Sequence, residues 1–109
     1  MIIGLDYHNT ITLNERFFSM FAGALIAGGF QVHIISALKN PCDPKHKREV
    51  ERCRVPHTSI QIVYFKDYQE IPQLKYAACR RLGVKLMIDD MPSVCKLLAK
   101  NKIMTMQVK

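Results

Sequence analysis

The chain opens with an apolar run that ends on a carboxylate, IIGLD at residues 2–6, and the same pattern returns in LMIDD at residues 86–90. Both runs are short and rich in residues that favour buried strands. In an open α/β sheet the carboxyl ends of parallel strands face a common crevice, so these acids can meet although about eighty residues separate them. Carboxylate oxygens suit a hard divalent cation. The two runs therefore predict an acidic site at one edge of an α/β sheet.

The rest of the chain alternates between strand-like and helix-like patterns. Strands are predicted at residues 2–5, 31–35, 60–65, 85–88 and 103–108, and the second of them stops at Ser36. Helices are predicted at residues 15–27, 44–54, 72–82 and 92–100, from capping residues and apolar spacing. Such alternation implies right-handed crossovers and a parallel sheet with helices on both faces. We therefore predict one three-layer, Rossmann-like α/β domain over residues 1–109, with about five mostly parallel strands.

Composition is typical of one globular domain, with 109 residues of which 49% are apolar and 23% charged. The longest weakly polar stretch, residues 17–30, is too short to span a membrane, and no secretion signal is recognised at the start. We therefore expect a cytoplasmic protein without membrane association, whose four cysteines are reduced. The sequence does not indicate an oligomeric state.

The net charge of +7 bears on the partners of the protein. A basic surface attracts phosphate-bearing molecules, nucleic acid included, because it raises their local concentration. A solvated basic surface that aids solubility accounts for the same charge equally well.

Several polar residues could act on a phosphate ester at the predicted sheet edge. Asp6 can bind a cation and can also attack phosphorus to form an aspartyl-phosphate. Ser36 supplies a hydroxyl donor, and Lys75, at the start of the third helix, supplies a positive charge for the transferring group. Asp89 and Asp90 would complete the metal shell.

Each of these assignments has a structural alternative. Serine commonly ends strands, so Ser36 need not bind anything. Lys75 could be an ordinary surface residue, and Lys66, directly after the third strand, competes for its role. The acidic pair at residues 89–90 could cap the helix that starts at Pro92.

Taken in order, these segments resemble the four motifs of the haloacid dehalogenase-like superfamily of hydrolases. DYHNT at residues 6–10 is similar to a strand ending in Asp-x-Asp-x-Thr, and HIIS at residues 33–36 to a strand ending in Ser or Thr. The family's lysine at the head of a helix matches Lys75, eight residues before a Gly-Val pair, and its paired acids match LMIDD. The resemblance covers residues 2–92.

This resemblance implies a small, capless, Mg²⁺-dependent phosphatase. Asp6 would be the nucleophile and a metal ligand, Ser36 would hold the phosphoryl group, and Lys75 would neutralise it. Either Asp89 or Asp90 would anchor the metal.

His8 departs from the family pattern, which has a second aspartate there as general acid and base. The family's second aspartate also binds the metal through its main-chain carbonyl, and His8 can keep that metal contact because any residue has the carbonyl. An imidazole with an ordinary pKa of about 6.5 can protonate a leaving oxygen and deprotonate water, but a neighbouring cation disfavours its charged form. We therefore expect either slow turnover with an altered pH dependence or a catalytically silent module that binds phosphate groups or nucleic acid.

The spacing of the elements leaves no room for a cap domain. Only seven residues separate Asp6 from the helix cap Asn14, and one helix with its connections fills residues 37–59. An open site suits a bulky substrate better than a small one that must be sealed from water. A nucleotide or a nucleic-acid end is the substrate we expect.

A second metal site is an alternative that the sequence leaves open. Two Cys/His pairs, Cys42 with His46 and Cys53 with His57, could face each other and bind Zn²⁺. The spacing lacks a Cys-x2-Cys knuckle, and part of it falls within one predicted helix. These two features disfavour zinc.

Overall fold

The computed structural model describes residues 1–108, so Lys109, the last residue of the predicted domain, lies outside the described part. The strands are β1 (Ile2–Leu5), β2 (Gln31–Lys39), β3 (Ser59–Phe65), β4 (Leu86–Asp89) and β5 (Met104–Gln107). The helices are α1 (Glu15–Ala27), α2 (Pro44–Glu51), α3 (Ile71–Leu82) and α4 (Pro92–Lys100), with short 3₁₀ turns at Ile11–Leu13 and Tyr68–Glu70. Across residues 1–108, no helix is both long and apolar enough to cross a membrane.

Capping residues fix the helix ends much as the sequence predicts. The Asn14 side chain accepts a hydrogen bond from the Phe17 N–H (3.0 Å) at the start of α1. At the start of α2 the Asp43 side chain accepts one from the Lys45 main-chain N–H (2.9 Å). Gly83 ends α3 in the left-handed conformation, with φ of 77°, which a residue without Cβ adopts at little cost. The main exception is α2, which stops at Glu51 rather than near residue 54.

All five strands form one parallel sheet in the order β3-β2-β1-β4-β5, which confirms the predicted Rossmann-like α/β architecture. Helices cover both faces because each face of the sheet is apolar. One core cluster includes Phe18 of α1 and Val50 of α2, and the other includes Ala78 of α3 and Leu98 of α4. Side chains of β2 alternate between these clusters.

β2 is longer than the sequence predicts. The predicted strand stops at Ser36, but β2 continues to Lys39. Over this extension it stays paired with β3, as far as Lys39 opposite Phe65. Since a neighbouring strand supplies hydrogen-bond partners along its whole length, pairing overrides the weak strand preference of residues 37–39.

Candidate functional site

A crevice of about 280 Å³ opens at the carboxyl edge of the sheet, where β1 and β4 end side by side. Asp6 directly follows β1, and its N–H donates a hydrogen bond to the Ile88 carbonyl of β4 (2.9 Å). Asp89 is the last residue of β4, and Asp90 follows it. Parallel pairing of the two strands thus brings together acids that are far apart in sequence, as predicted.

Lys75 from α3 lies between two of these acids. Its Nζ is 2.6 Å from Asp6 Oδ1 and 2.6 Å from Asp89 Oδ2, and all three side chains are buried. Buried charges persist only when they are paired in this way. Lys66, the alternative considered from the sequence, is exposed and does not line the crevice. The geometry therefore places Lys75, and not Lys66, beside the acids.

The second oxygen of Asp6 is held by a residue that the sequence assignments omitted. Thr10 Oγ1 donates a hydrogen bond to Asp6 Oδ2 (3.0 Å), and Thr10 is fully buried. The intervening turn is tight because Asn9 adopts a left-handed conformation with φ of 59° and donates its N–H to Thr12 Oγ1 (2.9 Å). The signal for Thr10 was its place at the end of the DYHNT segment.

The two acids at the end of β4, Asp89 and Asp90, make different contacts. Asp89 Oδ2 meets Lys75, and Asp89 Oδ1 accepts a hydrogen bond from the Met91 N–H (2.9 Å). Asp90 is half-buried and lines the crevice. One carboxylate oxygen from each of Asp6, Asp89 and Asp90 lies within 4.8 Å of the others. Because both Asp89 oxygens are engaged, Asp90 is the more available of the pair for a cation.

Charge in the crevice is unbalanced toward the acids. Burial, and to a lesser extent the charge of Asp89, raise the pKa of Asp6 to about 7, although Lys75 opposes them. Burial acts to lower the pKa of Lys75, but Asp6 and Asp89 outweigh it and raise that pKa above its ordinary value. Lys75 contacts two of the three acids, Asp6 and Asp89, and Asp90 lies beside them, so the cluster can accept a further positive charge when Asp6 is ionised.

His8 also lines the crevice, two residues after Asp6. It is half-buried, and burial is the largest influence that lowers the pKa of its imidazole. Its ring packs edge-on against Tyr7, with 4.9 Å between the ring centroids. At neutral pH the neutral imidazole therefore prevails, which can accept a proton more readily than it can donate one.

Ser36 does not lie in this crevice. It is fully buried inside β2, and its Oγ has no hydrogen-bond partner within residues 1–108. Ile34 and Leu38 of β2 pack on the face that α1 and α2 cover, and the pleat directs Ser36 to that same face. Ala37 lines the crevice instead. The prediction that Ser36 ends its strand is wrong because β2 continues past it, and the crevice offers no contact for the proposed phosphoryl role.

The residues considered for zinc are not brought together. Among residues 1–108, the cluster of three or more potential ligands close enough for a metal is the acidic one described above. It includes none of the four candidates, Cys42, His46, Cys53 and His57. All four cysteines are free, and Cys79 and Cys95 are buried.

Side chains that were not assigned a role from sequence also line the crevice. Asn9 lies on the loop after β1, Phe65 ends β3, Tyr68 begins the following 3₁₀ turn, and Met91 precedes α4. Phe65 is the last residue of its strand, and the other three lie on connections between elements, where the sequence pattern gives little information about the direction of a side chain.

Comparison with known proteins gives structural relatives only. No protein-family model matches the chain, and no curated protein matches it in sequence. One similar solved chain belongs to the Pnkp1/Rnl/Hen1 complex, with a TM-score of 0.72, 16% identity, and coverage of 98% of this chain and 45% of that chain. A chain from the Pnkp1/Rnl/Hen1 RNA repair complex gives a TM-score of 0.71 at 14% identity, covering 98% of this chain and 42% of that one.

A third solved structure is a protein from the universal stress protein family of Burkholderia pseudomallei. Its TM-score is 0.65 at 12% identity, and the alignment covers 98% of this chain and 94% of that chain. The present chain thus spans less than half of the first two solved chains and nearly all of the third.

These neighbours correct the family expected from the sequence. They are chains of the Pnkp1/Rnl/Hen1 complex and a universal stress protein, not a haloacid dehalogenase-like hydrolase, so that assignment is wrong. The motifs behind it are short, and acids after strand ends occur wherever a parallel sheet forms a site at its carboxyl edge. Two of the supporting positions also depart from the family pattern. The Ser36 side chain faces away from the crevice, and His8 stands where the pattern has an aspartate. At these identities the comparisons establish the Rossmann-like α/β fold.

Proposed function

We propose that the protein is a Mg²⁺-dependent phosphoric ester hydrolase in which Asp6 is the nucleophile. The observation that carries this proposal is the buried group formed by Asp6, Lys75 and Asp89, with half-buried Asp90 beside it, at the mouth of an open crevice. Buried charges with perturbed pKa values in a crevice are typical of catalytic sites. A purely structural ion pair would not require Asp90 as a third acid beside Asp6 and Asp89.

The acidic cluster fits a magnesium ion chemically. Mg²⁺ binds carboxylate oxygens and retains several waters, and Asp6, Asp89 and Asp90 offer such oxygens within 4.8 Å of one another. When bound, the ion would supply positive charge to the oxygens of the phosphoryl group.

The side chains of the site have distinct roles in this proposal. A carboxylate oxygen of Asp6 attacks phosphorus, and the bond from phosphorus to the leaving oxygen breaks, which gives an aspartyl-phosphate. Lys75 balances negative charge on the transferring group. In the second step His8 takes a proton from water, whose oxygen attacks phosphorus and releases phosphate and the Asp6 carboxylate.

The lowered pKa of His8 leads to a preference among substrates. A neutral imidazole cannot protonate a leaving oxygen, so a leaving group that departs as a stable anion is favoured. Aryl phosphate esters should therefore react faster than alkyl phosphate esters of similar size. The preference should weaken as the pH is lowered, because more of the imidazole is then protonated.

The decisive experiment measures phosphate release from an aryl phosphate ester with Mg²⁺ and with a chelator. Release should require Mg²⁺ and should disappear in Asp6→Asn. Asp43→Asn is a matched control, because exposed Asp43 caps α2 and asparagine caps equally well. Equal activity of wild type and Asp6→Asn would exclude the aspartyl-phosphate mechanism.

A second candidate function is a catalytically silent module that binds phosphate groups or nucleic acid. It is favoured by the engagement of both Asp6 oxygens, one with Lys75 and the other with Thr10, and by His8 in place of an acid. Salt-sensitive nucleic-acid binding without hydrolysis across a broad phosphate-ester panel would support it. Activity gained by His8→Asp would show instead that the site is competent for catalysis but poorly tuned.

The substrate that we propose is a nucleotide or a nucleic-acid end, and because its terminal phosphate is an alkyl ester, we expect its turnover at neutral pH to be slow. The net charge of +7 attracts such molecules, and the crevice is too small to enclose a large substrate. Most of the substrate would therefore lie at the rim of the crevice or outside it.

A further inference from the structure

The crevice has one extended wall, made by the ends of β2 and β3. β1 stops at Leu5, which is paired with Ile34, whereas β2 continues for five more residues to Lys39 and remains paired with β3. Ala37 lines the crevice, and Lys39, two residues farther along the same strand, lies on the same face of the sheet. Lys39 is exposed. The wall therefore adds a solvated cation just beyond the acidic site.

An aromatic pair completes this wall. Phe65 is buried at the end of β3, and the ring of Tyr68 packs on it with 5.0 Å between the centroids and 44° between the planes. Both residues line the crevice together with Asp6 and Lys75. Tyr68 nevertheless remains 67% exposed. Contact with Phe65 fixes the position of the Tyr68 ring, while much of its surface is free to contact a ligand.

Hydrogen bonds hold the turn that carries Tyr68. The Asp67 side chain accepts from the Gln69 N–H (3.0 Å), while Glu70 Oε1 accepts from the N–H groups of Lys66 (2.7 Å) and Asp67 (2.8 Å). This reciprocal capping box orders the turn before any ligand arrives. An aromatic ring that is already positioned loses little conformational entropy on binding.

We propose that Tyr68 stacks on the nucleobase of a ligand whose terminal phosphate occupies the crevice at Asp6. This rests on the proposed function only for the location of the phosphate. Every nucleobase offers a flat face to an aromatic side chain, and such stacking accompanies basic grooves that bind nucleic-acid backbones. Lys39, on the same wall, suits the next phosphate of a chain. A phosphate ester without a flat ring would offer no group that stacks on Tyr68.

The test measures binding, so that its result does not depend on turnover. In the Asp6→Asn background and in excess Mg²⁺, dissociation constants are measured by calorimetry for adenosine 5′-monophosphate, adenosine 3′-monophosphate and ribose 5-phosphate. At least one of the two nucleotides should bind more tightly than the sugar phosphate. Adding Tyr68→Ala should weaken that nucleotide by roughly 5- to 100-fold and leave ribose 5-phosphate unchanged, while Tyr68→Phe should preserve binding.

Tyr64→Ala is the matched control. Tyr64 is also exposed, at 40%, but it lies on the opposite face of β3, where it lines a different surface with Lys47. Its loss should leave all three affinities unchanged. Equal binding of nucleotides and ribose 5-phosphate, no detectable binding of any of them, or no effect of Tyr68→Ala would each overturn the stacking proposal. None of these results depends on whether the wild type hydrolyses an aryl phosphate, so the two proposals can fail separately.

A last comparison identifies the kind of ligand. Lys39→Ala should weaken binding of a short single-stranded oligonucleotide with a terminal phosphate if the natural ligand is a nucleic-acid end. An unchanged oligonucleotide affinity, together with the Tyr68 effect on the mononucleotide, would support a free nucleotide. The stacking proposal itself is decided by Tyr68→Ala.

Discussion

Replacing Lys75 with methionine tests directly whether this lysine neutralises the acids of the crevice. Its Nζ is 2.6 Å from carboxylate oxygens of both Asp6 and Asp89, and its side chain is buried. Removing one partner of a buried ion pair typically costs about 3–5 kcal/mol, because a charge is left without compensation. Methionine keeps the unbranched apolar stem, so little of that cost arises from lost packing. The expected loss is a large part of the roughly 5–15 kcal/mol that stabilises a typical domain.

The assay is urea denaturation followed by circular dichroism, in a chelator and in excess Mg²⁺. In the chelator, Lys75→Met should lower the free energy of unfolding by about 3–5 kcal/mol. Magnesium should stabilise this variant more than the wild type, since the cation and the lysine compensate the same acids. A ligand at one hundred times its dissociation constant adds about 2.7 kcal/mol.

Lys66→Met is the control for the loss of a positive charge. Lys66 is exposed, so its replacement should change the free energy of unfolding by less than about 0.5 kcal/mol. If Lys75→Met were no less stable than Lys66→Met, the charge balance inferred for the crevice would be refuted. If Mg²⁺ stabilised both variants equally, the shared role of cation and lysine would be refuted.

Three further predictions concern individual side chains. Asp89→Asn should lower the free energy of unfolding by about 1–3 kcal/mol because it weakens a buried charged contact. Asp90→Asn should change the free energy of unfolding by less than about 0.5 kcal/mol but should weaken Mg²⁺ binding. Urea denaturation and calorimetry measure the two effects, and a larger loss of stability in Asp90→Asn than in Asp89→Asn would contradict this assignment. In a chelator, the contribution of Asp6 to stability should fall as the pH rises from about 4 to about 7, because folded Asp6, with a pKa of about 7, keeps a proton that the unfolded chain has already released; a stability difference between wild type and Asp6→Asn that stays constant over this range would contradict the assignment. Cys79 is fully buried, and burial raises the pKa of its thiol to about 11. At neutral pH an alkylating reagent should therefore modify half-buried Cys42 well before Cys79. Comparable modification rates of the two cysteines by mass spectrometry would contradict the burial of Cys79.

The acids of the crevice could be found from sequence because their positions depend on local pattern. Asp6 and Asp89 each follow an apolar run, and a strand that ends places its next residue at the sheet edge. Lys75 was found by its place at the start of a predicted helix, although no local pattern stated that its amine would meet both acids. The contact depends on how α3 packs across the sheet.

The errors share a different cause. Ser36 was placed at a strand end because the pattern of apolar residues stops there, but the length of β2 is decided by its pairing with β3. Thr10 and Tyr68 lie on turns, and sequence gives little information about the direction of a side chain on a turn. The family assignment rested on short motifs that several kinds of α/β protein can present, and the structural neighbours do not support it.

The sequence by itself determined the order of strands and helices along the chain, the parallel sheet, and the acids at the ends of β1 and β4. These features follow from apolar periodicity, helix caps and crossover geometry, which act between residues close together in the chain. Only the tertiary structure decided that Lys75 bridges Asp6 and Asp89, that Ser36 faces away, and that Tyr68 extends the wall of the crevice. These contacts join residues far apart in sequence, so they depend on strand pairing and helix packing.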